Sequence, residues 1–486
     1  MKYDKLIYEL SIPGRRAYNL PEQDLPELDL TQVYDPALLR QEAPGLPEVS
    51  ELDVVRHYTN LSKLNFGVEN GFYPLGSCTM KYNPKINDEV ASLDGFRNIH
   101  PLQSGRSVQP LLRLYGELAD MLTNISGMDA TSLNPFAGAH GELTGLMIMK
   151  AYHERRGDIK RTKMIIPDSA HGTNPASAAM LGFDCITIKS TPKGLVDLEA
   201  LKAALSEEVA GIMLTNPNTL GLFETDILEI SRLVHEAGGL LYYDGANLNA
   251  LLGVARPGDM GFDIMHMNLH KTFSTPHGGG GPGSGPVSVK KHLADLLPNP
   301  RIVKKGRRYE IEHNPNAIGQ IGGFYGNFLV CVRAYAYLKS IGTALNKVGP
   351  YAVLNANYVK EKLRDRFALE IEAHYMHEFV FNGLIDQSTG VRTLDVAKRL
   401  LDYGVHAPTI YFPLLFEQSI MIEPTESESQ DTLDQFIDIM TKIAEEAKHE
   451  PDCVKLAPHL TPVGRLDEVN AARHPILKFK DYEPNV

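Results

Sequence analysis

The stretch from Gly239 to Lys271 reads "GLLYYDGANLNALLGVARPGDMGFDIMHMNLHK". It contains two short apolar runs, "GLLYYDGA" and "FDIMHMNL". Polar residues collect where each run stops: Asp244 and Asn247 at the first, Asn268, His270 and Lys271 at the second. Short apolar runs bounded by turn residues predict buried strands. The alternation continues upstream. "KMIIPDS", "CITIKS" and "VAGIMLTNPN" predict strands. "NPASAAMLG", "DLEALKAALSE" and "ILEISRLVHEAG" predict helices, the first opened by a capping Asn174 with Pro175 and the last closed by glycine. Strands alternating with helices predict an α/β fold with a mostly parallel central sheet covered on both faces.

Outward from this centre the texture changes twice. Residues 1–100 are rich in proline and turn signals and show no sustained period, which predicts an extended N-terminal arm lying over a partner subunit. Residues 101–340 form the expected large α/β domain, opened by the helical "VQPLLRLYGELADMLTNISG". Residues 341–486 read as a smaller C-terminal α+β domain. There "FALEIEAHYMHEFVF" and "SIMIEPTES" are strand-like, and "TLDVAKRLLDYG" and "QDTLDQFIDIMTKIAEEAK" are helical.

The 486 residues carry a formal charge of -12, which argues against a nucleic-acid or anionic-membrane partner, since both reward basic patches. The basic run "VKKGRR" (Val303 to Arg308) reads as a solvated loop. The four cysteines, Cys78, Cys185, Cys331 and Cys453, form no CxxC pair and suggest neither a disulfide framework nor a metal site, so a reducing cytoplasm fits. The N-terminus reads as neither a signal nor a transit peptide, and no apolar run reads as long enough to span a bilayer.

In open α/β sheets, ligands sit beyond the carboxyl ends of the strands. Four strand ends here deliver Asp168 and His171, Asn216 and Asn218, Asp244 and Asn247, and Asn268, His270 and Lys271. A lysine at the mouth of a buried strand is partly desolvated, which favours the neutral amine that attacks carbonyls. Asp244, at the end of the preceding strand, would keep a pyridine nitrogen protonated. An amine for an aldehyde and a carboxylate for a ring nitrogen are what pyridoxal phosphate requires. In "NPFAGAHGELTGLMIMKAYH" the small residues Ala137, Gly138 and Ala139 open an apolar helix. Exposed amides at its positive end suit a phosphate, although small residues also let helices pack closely. His171 is the candidate to stack on the ring; a capping or core histidine reads equally well from the residues alone. The glycine tract after Lys271 lets backbone pass close to the cofactor and a neighbouring subunit. Its formal GxGxxG match at Gly278, Gly280 and Gly283 is interrupted by Pro282 and precedes no clear helix.

With "ELSIPGRRAYNLP", "GFYPLGSCTMKYNP", "GAHGELTG", "DSAHGTNPASA", "TNPNTLGLFE", "YYDGANLNA" and "NLHKTFSTPHGGGGPGSGP", the sequence closely resembles the second subunit of bacterial glycine dehydrogenase (decarboxylating), the P-protein of the glycine cleavage system. The resemblance implies a pyridoxal-phosphate enzyme of the transferase-like fold type I, with Lys271 carrying the cofactor. It implies catalytic roles for Lys271, Asp244 and His171, and a cofactor shell that adds Ala137, Gly138, Ala139, Asn216, Ala246, Asn268 and His270. Ser77, Cys78, Thr79, His140 and His277 are candidate substrate contacts. It also implies a split enzyme, an α2β2 heterotetramer with a separate first subunit. That enzyme decarboxylates glycine and passes the aminomethyl group to the lipoyl arm of the H-protein. The competing readings are another fold type I decarboxylase or aminotransferase, and a scaffold subunit with a vestigial site.

Overall fold

The computed structural model describes residues 5–481 except 18, 20, 23, 43 and 279–282, so the reading placed on Gly280 and most of the glycine tract lies outside the described residues. The chain divides into two compact units, residues 1–70 with 458–486, and residues 71–457.

The second unit is built on a seven-stranded sheet. Its strands are β1 (Ala130–Ser132), β2 (Lys163–Pro167), β3 (Asp184–Ile188), β4 (Val209–Thr215), β5 (Leu240–Gly245), β6 (Ile264–Met267) and β7 (Val287–Val289), in the order β1-β7-β6-β5-β4-β2-β3. Strands β2 to β6 pair in parallel. Only β7 is reversed, antiparallel to both β6 and β1. Two reversals cancel, so β1 runs with β6 and its carboxyl end meets the same rim as those of β4, β5 and β6.

Alternation along β5 shows why the sheet is covered twice. Tyr243 packs with Leu241, Ile212 and Met265 on one face; Tyr242 packs with Met164, Met213 and Val287 on the other. The helix Gly138–Arg155 lies on the Tyr242 face through Leu146 and Met149. The helices Gln109–Ser126, Ile227–Glu236 and Phe328–Ile341 cover the Tyr243 face. All seven residues of β4 are buried, as a central parallel strand requires. Leu118 and Leu122 are fully buried, and truncating either to alanine costs about 2–5 kcal/mol.

The hairpin β8 (Arg301–Lys305) and β9 (Arg308–Glu312) corrects the solvated-loop reading of "VKKGRR". The basic residues fall on a ribbon whose Lys305 pairs with Glu310 and Glu312, so charge there marks an exposed hairpin. A second core surrounds the three-stranded sheet β10 (Phe379–Asn382), β11 (Thr409–Ile410) and β12 (Ser419–Ile422), with β12 central. Three helices close it: Val348–Leu363, Thr393–Asp402 and Gln430–His449. In the last, Ser429 caps through Thr432, and Leu433, Phe436, Ile437 and Met440 fill the inner face. Of "FALEIEAHYMHEFVF", only the last three residues are strand, the start of Phe379–Asn382.

The segment Phe328–Leu363 has the length and apolar composition of a bilayer span, contrary to the expectation of none. It is broken by a 3-10 turn at Gly342–Lys347, and Val330, Val332, Ala334, Ala356 and Val359 pack in the two cores. These are core helices that share a bilayer span's length and composition.

The first unit holds the helix Glu51–Ser62, opened by a reciprocal capping box between Ser50 and Asp53. Many large apolar residues stand exposed, among them Leu25 (73%), Leu38 (78%) and Leu477 (84%). The segment 71–100, expected as part of the arm, belongs with the second unit and includes the helix Lys85–Ala91.

Candidate functional site

Register aligns the site before any side chain is considered. Thr215 pairs with Asp244, Asp244 with His266, His266 with Val287, and Val287 with Ser132. One row thus crosses five strands at the carboxyl rim. The next residues of each parallel strand lie beyond it, and these include Asn216, Ala246, Asn268 and Lys271.

Asp244 is 3% exposed and fully engaged. Its Oδ2 accepts from Asn174 Nδ2 (3.2 Å), and its Oδ1 accepts from Ala246 N (3.0 Å) and stands 3.4 Å from His266 Nε2. His266 Nδ1 meets the Tyr242 hydroxyl at 2.6 Å. Burial holds this histidine below its usual range, with the Asp244 charge acting the other way. Asn174 does not cap its helix as expected. The helix begins one residue earlier, at Thr173, whose N–H points to His171 Nδ1 at 3.4 Å, and this leaves the Asn174 amide free to reach Asp244.

Lys271 is half-buried, and its Nζ donates to Ser77 O at 2.7 Å. His171 is held down by burial, with Asp244 raising it and Lys271 lowering it, so its ring feels both groups. It meets Phe412 edge-on at 5.5 Å. His171 therefore serves as a helix-end acceptor and also lies beside the Lys271–Asp244 pair. Glu142 is lifted to about 7 by burial and by the Asp244 charge.

The cradle at the start of the helix Gly138–Arg155 is tight. A Cβ at Gly138 would sit 2.1 Å from Asn268 Oδ1, and one at Gly285 would sit 2.0 Å from Ala137 O. The first turn of any helix leaves its amides without internal partners. His140 Nδ1 accepts from Phe136 N at 3.2 Å, beside this turn. Asn216 Nδ2, Thr272 Oγ1, Thr275 Oγ1, His277 Nε2 and Ser284 Oγ are buried without partners. A buried carboxylate, a half-buried amine, a helix start without room for side chains and orphaned polar atoms fit a pyridine aldehyde carrying a phosphate.

Not every expected rim residue joins this group. Asp168 is exposed, and its Oδ1 takes the amide (3.0 Å) and hydroxyl (2.6 Å) of Ser190. Asn218 turns inward to brace its own loop, accepting from Leu220 N and Leu222 N. His270 and His277 meet edge-on at 5.2 Å. Burial and mutual or lysine charge press them to about 3 and about 4. The sequence reading missed Asn174, His266 and Glu142. It also missed the buried trio His377, Glu378 and Glu423, which lies against the Ser77–Thr79 loop. A cavity of about 300 Å³ lies elsewhere, lined by Phe96, Leu112, Tyr325 and Phe328 and by none of the rim residues.

The buried ionisable groups make stability depend on pH in two windows. His270, His277 and His377 stay neutral in the fold to about 3–4, against an ordinary 6.5, so the unfolded chain alone gains protons as pH falls. Glu142 and Glu423 hold protons in the fold up to about 7, against 4.5, so their stabilising effect grows as pH falls to 4.5 and then levels. The two oppose each other between pH 6.5 and 4.5; below 4.5 the glutamate gain has levelled and the histidine loss continues, joined by carboxylates such as Glu117 and Glu446 that hydrogen bonds hold below their usual range. Calorimetry across pH is expected to show Tm falling most steeply below pH 4.5. A Tm that holds or rises there contradicts the neutral histidines.

Residues 29–311 match the family described as "Glycine cleavage system P-protein", and residues 348–457 match "Glycine dehydrogenase, C-terminal domain". The chain is 61% identical to a protein of Caldanaerobacter subterraneus subsp. tengcongensis over 98% of this chain and 99% of that one. It is 60% identical to one of Alkaliphilus oremlandii, again over 98% and 99%. Both relatives carry the name "Probable glycine dehydrogenase (decarboxylating) subunit 2". In fold it is similar to a crystal structure of glycine decarboxylase (P-protein) of the glycine cleavage system, in inhibitor-bound form, with TM-score 0.73 and 20% identity over 85% of this chain and 94% of that one. It is also similar to the cysteine desulfurase CsdA from Escherichia coli, with TM-score 0.60 and 14% identity over 78% and 95%.

Proposed function

The chain belongs to the glycine cleavage system P-protein family, and from that membership we propose that it is the subunit whose Lys271 carries the cofactor of a split glycine dehydrogenase. The enzyme decarboxylates glycine and transfers the aminomethyl group to the lipoyl arm of the H-protein, releasing carbon dioxide. One lipoyl sulfur takes the carbon, the disulfide bond breaks, and the other sulfur leaves reduced, so the lipoyl group is the oxidant. Pyridoxal phosphate, when bound, supplies an electron sink for the pair left on the glycine alpha carbon as carbon dioxide departs.

The observation that carries the residue assignment is the pairing at one rim of a buried, three-partnered carboxylate with the amine that follows the neighbouring strand. Lys271 Nζ, oriented by Ser77 O, provides the amine for the cofactor's aldehyde. Asp244 keeps a fixed negative charge for the ring nitrogen, with Asn174 and the Ala246 amide holding its orientation. His171 offers a ring face. The amides of Ala137, Gly138 and Ala139 and the helix dipole receive the phosphate. Asn216, Asn268 and His270 complete that shell. His277 and His140, with Ser77, Cys78 and Thr79, line the approach for glycine.

Exchange of the glycine carboxyl with labelled bicarbonate tests the reading. Exchange that requires both the first subunit and the lipoylated H-protein supports it. Conversion of glycine with a keto acid, indifferent to H-protein, marks an aminotransferase instead.

The enzyme is split, with a subunit 1 as partner. The assembly proposed is a cytoplasmic α2β2 heterotetramer. The exposed Leu25, Leu38 and Leu477 of the first unit support a covered surface there. Alone, the chain is expected to run the exchange at least about ten-fold more slowly than with subunit 1. Equal rates remove the need for the partner.

A further inference from the structure

The mechanism above leaves one buried cluster unused. His377 and Glu378 lead into β10, and Glu423 follows β12. Phe379 pairs with Ile422, so the next step of the antiparallel ladder sets Glu378 against Glu423. All three side chains are fully buried, with a ring nitrogen of His377 and a carboxyl oxygen of each glutamate within 4.8 Å of one another. His377 Nε2 stands 3.8 Å from an oxygen of each glutamate, and neither of its ring nitrogens has a partner.

Two carboxyls this close in apolar packing do not both ionise. Burial and the Glu423 charge push Glu378 well up, and burial lifts Glu423 to about 7. Burial and the Lys271 charge press His377 to about 3, so it is neutral. The cluster therefore carries at most one negative charge, shared between the two carboxyls. Lys271 faces all three members; Glu426, which also faces Glu423, is already paired with Lys81 at 2.7 Å.

Three of the pair's other hydrogen bonds go to one loop and a fourth goes to Asn247. Glu378 Oε2 accepts from Ser77 N at 2.7 Å, and its Oε1 accepts from Asn247 Nδ2 at 3.1 Å. Glu423 accepts from Thr79 N at 2.8 Å and from Thr79 Oγ1 at 2.6 Å. Ser77 and Thr79 both lie in the left-handed region, at φ 64 and 48, a conformation costing non-glycine residues about 1 kcal/mol or more each. Hydrogen bonds from backbone amides to a buried carboxyl pair that shares one charge are strong enough to hold it. The same loop presents Ser77 O to Lys271 Nζ, and Cys78, pushed up to about 11 by burial, sits between the two clamped residues.

We propose that Glu378 and Glu423 are positioning residues of the reaction: they clamp residues 77–79 in their left-handed path and set one buried negative charge facing the Lys271 amine that this loop holds. The proposal rests on Lys271 being the cofactor lysine.

Glu378→Gln and Glu423→Gln each keep shape and an acceptor and leave one carboxyl to hold the charge; the double variant removes it. In holoenzyme loaded with pyridoxal phosphate, the pH midpoint of the visible absorbance is expected to fall by about one unit in the double variant and to stay near the parent value in either single variant. In the cofactor-free chain, alkylation of Cys78 by iodoacetamide is expected to rise about ten-fold, with exposed Cys185 unchanged. A parent-like midpoint in the double variant, together with parent-like Cys78 rates in both single variants, overturns the proposal. If buried Cys331 also becomes reactive, the variants are not folded, and hydrogen exchange of the Ser77 and Thr79 amides in the unmodified chain decides. Exchange roughly a hundred-fold slower than in a free peptide supports the clamp, and free-peptide rates overturn it. Borohydride failing to label Lys271 in the unmodified holoenzyme would instead sink the lysine assignment, while the amide and Cys78 results still judge the clamp on its own.

Discussion

Lys271→Ala is expected to abolish borohydride labelling of the holoenzyme at this position and to lower glycine decarboxylation by roughly a thousand-fold or more, the scale on which covalent-catalysis residues fail. The change removes the amine held at the rim by Ser77 O. Among the described residues, the nearby basic groups do not substitute. His270 and His277 are aromatic bases pressed well below neutrality, and Lys81 is committed to Glu426 and Asn249. The fold should survive, because Lys271 is half-buried and gives up one hydrogen bond, a loss of about 1 kcal/mol. Thermal unfolding near that of the parent, together with lost labelling, separates chemistry from collapse. Labelling retained on another residue overturns the assignment.

Asp244→Asn is expected to lower the same reaction roughly a hundred- to thousand-fold, in line with the loss of one preorganised electrostatic partner. Size is conserved, so the effect reports on charge. The amide keeps one oxygen for Asn174 Nδ2 or Ala246 N. It also turns an NH2 group toward a site that now receives donors from both and faces His266. Borohydride labelling of Lys271 should persist, which distinguishes this variant from Lys271→Ala. Decarboxylation at the parent rate would remove Asp244 from its role.

Much of the central sheet was legible because β2 to β6 are short apolar runs whose periods and turn residues are local properties. The amphipathic helices Gln109–Ser126, Ile227–Glu236 and Gln430–His449 were legible for the same reason. The helices Phe328–Ile341 and Val348–Leu363 were not, since they bury residues on more than one side and show no clean stripe. The hairpin β8–β9 was hidden by its charge. Asn174 was misread because asparagine before proline is a common capping signal. Its actual partner, Asp244, lies 70 residues away.

Local chemistry in the chain was enough to mark Lys271 and Asp244 as strand-end residues and to mark the small residues 137–139 as a helix start, because strand period, glycine and helix propensity act over a few neighbours. Tertiary structure alone decided that Asp244 is held by Asn174 and faces His266, and that Glu378 and Glu423 stand opposite each other behind residues 77–79. Those relations depend on strand order and register. Both arise from packing between segments tens to hundreds of residues apart, which no local pattern encodes.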